Sequence, residues 1–216
     1  MEKIYFISSA PIEYAFKNLS IYESFDLVSR GIKTATLKSN SSEFLKNHIF
    51  KFPIKNIKTI LTAPKGQTFK TGKLLKRLKI IPNGKLLSTK NLNGINFSMT
   101  ELLGIKEFND LGYKKAIKKS RRKFIEELYD GKLTEKLPEL KKRIIKLLDI
   151  ILKNDGSTLC IGHSFFLKIV EIHLKNPKSF KNRTAFIKAF EPNKKPYNSL
   201  EGFSANKTDV LSQILD

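Results

Sequence analysis

Three short apolar runs, each stopping at small residues ahead of a helical segment, constrain this chain more than any other feature. Residues Lys3–Ile7 (KIYFI) halt at Ser8-Ser9-Ala10-Pro11, the stretch 57–64 (IKTILTAP) repeats that pattern, and 157–162 (STLCIG) leads straight into His163-Ser164. Runs of this length, rich in β-branched and aromatic side chains, read as buried strands. Strands alternating with helices predict an α/β fold, a three-layer sandwich with a mainly parallel central sheet flanked by helices. In such sheets ligands gather beyond the carboxyl ends of the strands, so the three run ends are where chemistry is sought.

Between the runs, helices are expected over Arg30–Asn47, interrupted near 39–42, then over Thr71–Leu78, Lys114–Leu128, 137–153 and Phe165–Leu174. The fourth is the clearest: Leu140, Ile144, Leu147, Leu148 and Ile151 keep a 3.6-residue spacing, with Pro138 tolerated in the first turn. Residues 80–113 are rich in Asn, Gly and Ser and predict turns, a short strand and an irregular cap or insertion. After Pro177 come a β-like run at Ala185–Phe190 and a final strand near Ser199–Ala205. With 216 residues, a single domain over 1–216 is expected.

Composition narrows the classes. Hydrophobic residues make up 40%, enough for a packed interior, yet no apolar run nears the roughly 20 residues that span a bilayer. The amino-terminal MEKIYFISSAP turns polar too soon for a signal peptide, so a cytoplasmic location is the expectation. One cysteine, Cys160, and three scattered histidines, His48, His163 and His173, give no metal-ligand spacing, and no metal or cofactor is expected. Cys160 reads as a small core residue; His48 and His173 read as surface or boundary residues.

The formal charge of +21, from 41 Lys and Arg against 20 Asp and Glu, is the most unusual bulk property. A codon bias toward Lys, Asn, Ile and Phe accounts for part of it but does not hold Asp and Glu down. The functional reading is a surface that attracts nucleic acid, an anionic membrane or an acidic protein partner. Its candidate residues lie in 114–123 (KKAIKKSRRK): Lys114, Lys115, Lys118, Lys119, Arg121, Arg122 and Lys123, on a helix whose plainer reading is a solvated face. Lys70, Lys73, Lys76, Arg77 and Lys79 form a second cluster, and no RNA-binding signature accompanies it.

The order and spacing of the three run ends, YFISSAP, LTAPKGQTFKT and LCIGHSFF, resemble the histidine phosphatase (phosphoglycerate mutase-like) superfamily. Its pattern is a first strand ending in Arg-His-Gly, a second in Ser-Pro-x-x-Arg-x-x-x-Thr and a late strand in His-Gly. FDLVSRGIKTA (25–35) is similar to the segment that opens the family's first helix, and the likeness covers about residues 3–175. The departures are specific. Ser8-Ser9-Ala10 stands where the family has Arg-His-Gly, and the second arginine falls on Gln67 or Gly66. The general-acid carboxylate falls near Ser88 or Thr89, with Glu101 a distant substitute, so of the central groups His163 alone is retained.

In the mechanism the resemblance implies, a neutral imidazole attacks phosphorus while arginines and a second histidine stabilise the equatorial oxygens and a carboxylic acid protonates the leaving oxygen. Without the nucleophile and both arginines, the expectation is a catalytically degenerate protein (a pseudoenzyme) with a binding or assembly role. It keeps an anion pocket for a phosphorylated ligand at Ser8, Ser9, Gln67 and His163. No catalytic residue is assigned; Ser9 and His163 form a Ser-His pair in outline, with no Asp evident to orient the ring. The alternatives are a divergent phosphatase acting on a phosphorylated substrate through His163, and a basic nucleic-acid-binding protein on this scaffold.

Overall fold

A computed structural model describes residues 2–14, 16–49 and 56–215, with side chains to residue 211. Strands β1 (Lys3–Ser8), β4 (Ile57–Thr62), β5 (Lys85–Ser88), β6 (Ser157–Gly162) and β7 (Gly202–Asn206) form one sheet in the order β5-β4-β6-β1-β7. The first four are mutually parallel and β7 runs antiparallel to β1. A small ribbon, β2 (Ile12–Glu13) with β3 (Thr36–Leu37), stands apart.

The central strands β1, β4 and β6 are apolar on both faces because helices cover both. Along β1, Ile4 and Phe6 enter one core while Tyr5 and Ile7 enter the other. The first core is closed by α4 (Ile105–Tyr129), α5 (Leu137–Leu152), α6 (Ser164–Lys175), α7 (Arg183–Phe190) and Val210 of α8 (Lys207–Leu215), and α1 (Ile21–Ser29) adds Tyr22 to it. The second is closed by α2 (Ser41–His48) and α3 (Gly66–Arg77), through Leu45, Leu74 and Leu75. This is the expected three-layer arrangement. Among the described residues no helix is long and apolar enough to cross a membrane.

Several local expectations are corrected. The first helix is not Arg30–Asn47: α1 starts at Ile21 under a capping box of Ser20 with Glu23, and Gly31 (φ 69°) ends it. Residues 25–35 therefore close a helix and the turn after it instead of opening one. The run Ala185–Phe190 is helical, not β-like. Asn182 caps it through Ala185 N–H, and Phe186 and Phe190, one turn apart, are both buried. The expected irregular region ends earlier than residue 113, since α4 begins at Ile105.

Gly112 (φ 68°, ψ 156°) then folds α4 sharply. Glu107 reaches Lys119 at 2.5 Å, whereas a straight helix would set residues twelve apart about 18 Å from one another. His173 is buried, not at the boundary. It sits edge-on to Phe180 with neither ring nitrogen hydrogen-bonded, and burial lowers its pKa. Cys160 is fully buried mid-strand and its thiol is pushed up by burial, which makes it inert as a nucleophile.

Candidate functional site

Parallel pairing brings the three run ends to one edge of the sheet. Ser8 pairs with Gly162 across β1 and β6, and Thr62 pairs with Ile161 across β4 and β6. Ser9, Ala63 and His163 each follow their strand by one residue. Gln67 arrives from the first turn of α3 and is buried. Its amide Nε2 lies 3.1 Å from His163 Nδ1. An amide nitrogen can only donate, so Nδ1 accepts and the ring proton sits on Nε2.

His163 is neutral over the physiological range. Burial pulls its pKa down to about 4, and the positive charge of Arg143 adds to the shift. The ring is held flat against Gly94: a Cβ there would stand 3.3 Å from Cγ, 3.4 Å from Nδ1 and 3.5 Å from Cδ2. A glycine is what lets the main chain of the 89–104 segment lie on the imidazole face. Arg143 Nη1 donates to the Gly94 carbonyl at 3.2 Å, its guanidinium stacks 4.6 Å over Phe166, and its Nε is 3.2 Å from the Glu135 carboxylate.

Sequence reasoning missed Arg143, although a signal was present. It lies three residues after Leu140 and four before Leu147, on the apolar stripe of α5, where a cation needs a partner. Burial dominates at both members of this pair, raising the Glu135 pKa and lowering that of Arg143 against their mutual attraction.

Neither serine is hydrogen-bonded to His163 among the described residues. The Ser8 hydroxyl donates to the Asn198 carbonyl, and Ser8 N–H donates to Glu201 O at 2.9 Å. Leu200 N–H reaches Ser9 O at 3.4 Å, so the 198–201 loop crosses the end of β1. At the positions where the resemblance puts the general acid, Thr89 carries a hydroxyl that caps a short 3-10 turn, and the distant Glu101 accepts from Ser98 N–H and the Thr134 hydroxyl.

Comparison with known structures bears on this geometry. The chain aligns over 98% of its length, and 96% of the other chain, with phosphoglycerate mutase from Bacillus anthracis str. Sterne, at 12% identity and a TM-score of 0.52. The fold is phosphoglycerate mutase-like. Bacillus stearothermophilus YhfR is similar over 81% of this chain and 80% of its own, again at 12% identity and a TM-score of 0.52. No family model and no curated protein sequence matches the chain. At such identities the likeness establishes the phosphoglycerate mutase-like fold alone, and function has to be argued from the side chains at the sheet edge.

The basic run occupies the longer arm of α4. Lys114, Lys115, Lys118, Lys119 and Arg122 are exposed, and Arg121 and Lys123 are half-buried. None of these seven is hydrogen-bonded to Gln67 or His163 among the described residues, and Arg121 lines a small cleft with Phe97 and Phe165.

Proposed function

We propose that this protein is a catalytically degenerate member of the phosphoglycerate mutase-like fold whose role is binding. The observation that carries this reading is the replacement of the family's phosphate-binding arginine and nucleophilic histidine by Ser8 and Ser9, with the Ser8 hydroxyl spent on a main-chain carbonyl. Loss of a single preorganised donor slows such reactions by about a hundredfold to a thousandfold, and here two arginines and the nucleophile are replaced together. His163 and Gln67 are already paired with each other, and Gly94 covers the ring. These contacts support a retained but closed polar site. Its remaining donors are His163 Nε2–H and the α6 amino terminus, which together suit a phosphate or similar anion.

The purified protein is expected to hydrolyse p-nitrophenyl phosphate and 3-phosphoglycerate no faster than a buffer blank. Inorganic phosphate should perturb the His163 ring resonances with millimolar affinity or weaker. Turnover above background that His163→Ala abolishes would overturn the reading in favour of a divergent phosphatase.

A further inference from the structure

We propose that the exposed face of α4 is a docking surface for the phosphodiester backbone of nucleic acid, read without regard to base sequence. The proposal does not depend on the fate of the sheet-edge site, since it rests on a different element.

On the longer arm of α4, Lys114, Lys118 and Arg122 follow one another at intervals of four, and Lys115 and Lys119 do the same on the adjacent row. All five are exposed, while Ala116, Ser120, Phe124 and Leu128 bury the opposite face. Like charges four apart on a helix repel, so each of the pairs 114/118, 115/119 and 118/122 weakens the helix it sits on. Two of the five cations are compensated: Lys119 by Glu107, across the bend at Gly112, and Arg122 by Glu126. Lys114, Lys115 and Lys118 have no carboxylate in ion-pair range among the described residues. The result is a helical cationic ridge with three lysines outside ion-pair range of a carboxylate, on a chain that already carries +21.

The chemistry of the ridge favours one class of partner. A helix that lies in a membrane surface offers an apolar face to the lipid, but the apolar face of α4 is committed to the core through Phe124 and Leu128. A protein partner is usually anchored by aromatic or aliphatic side chains at the centre of the interface, and the two cationic rows contain none. A line of phosphates needs only such cations, and it repays each contact by releasing a condensed counterion.

The test is fluorescence anisotropy of a labelled mixed-sequence DNA duplex between 50 and 200 mM salt. Three proteins are compared: wild type, a variant carrying Lys114→Gln, Lys115→Gln and Lys118→Gln, and a control of equal charge carrying Lys70→Gln, Lys142→Gln and Lys146→Gln. All six positions are exposed, so folding is preserved. If five phosphates are engaged, wild-type affinity falls about 500-fold across that range, and the α4 variant loses only about 12-fold. The control should stay close to wild type. Coincident curves for wild type and the α4 variant, or equal flattening in the control, would overturn the proposal and leave the charge diffuse. Phosphatidylserine vesicles or polyglutamate that bind more tightly than the duplex, through the same three lysines, would overturn it in favour of a membrane or an acidic protein.

Discussion

His163 shows how a residue's surroundings settle its chemistry. Its pKa is depressed from 6.5 to about 4, so as pH falls the unfolded chain takes the proton before the folded one does. The contribution to stability is complete above about pH 6.5 and is lost as pH falls to about 4, with a ceiling of about 3 kcal/mol. His173, also depressed by burial, titrates in the same direction. The separate share of His163 is therefore read from His163→Gln, whose urea midpoint should change less than wild type between pH 7 and pH 4. Parallel curves for the two proteins would show that the ring is already solvated in the native state. Cys160, by contrast, should resist alkylation until the protein unfolds, because its thiol is buried and its ionisation is suppressed.

Among the elements, the 93–103 segment lies over the His163 ring through Gly94, and it is latched to the turn between α4 and α5 and to α5 itself. Asn96 N–H donates to the Glu135 carboxylate at 3.0 Å, and Glu135 N–H returns a bond to Asn96 O at 3.0 Å. Glu101 holds Thr134, and Arg143 holds Gly94. Arg143→Ala removes the cation and strands the mostly buried Glu135, a kind of change that costs about 3 kcal/mol or more in a fully buried pair and somewhat less here. Global stability by urea should fall by about 2 kcal/mol. The amides of Asn96 and Glu135 should exchange with deuterium faster than those of β6. Unchanged protection of both amides would mean that the latch is held by Glu101 and Thr134 without help from Arg143.

For the whole molecule, Phe124 is the side chain on which distant parts of the chain meet. Its ring lies 5.1 Å from Phe97 of the covering segment, 4.7 Å from Phe165 of α6 and 6.1 Å from Phe190 of α7, and it is fully buried. Phe124→Ala should cost about 3 to 5 kcal/mol, and the loss should appear as one cooperative transition because the cavity opens in the core that six helices share. A loss below about 1 kcal/mol would mean that the aromatic cluster collapses to fill the space.

How much of this was written locally can be judged from particular residues. The strands at Lys3–Ser8, Ile57–Thr62 and Ser157–Gly162 were legible because a doubly covered strand is apolar throughout and stops where the chain must turn. The absence of Arg-His-Gly at Ser8-Ser9-Ala10 was legible for a simpler reason, since a missing functional group needs no geometry to be noticed. The run Ala185–Phe190 misled because its β-like composition is outweighed by the Asn182 cap and by burial of Phe186 and Phe190 one turn apart. Parallel pairing, which joins residues a hundred positions apart, brought Gln67 to His163 and so decided the tautomer of the ring. Arg143, Gly94 and the 198–201 loop became part of the site only when helix, insertion and carboxyl-terminal segment packed against the strand ends. The sequence by itself determined the strands, the layers and the presence of Ser8-Ser9-Ala10 at the end of the first strand, all of which follow from local pattern and residue type; what packs over His163 depends on contacts between distant segments, which only the tertiary structure supplies.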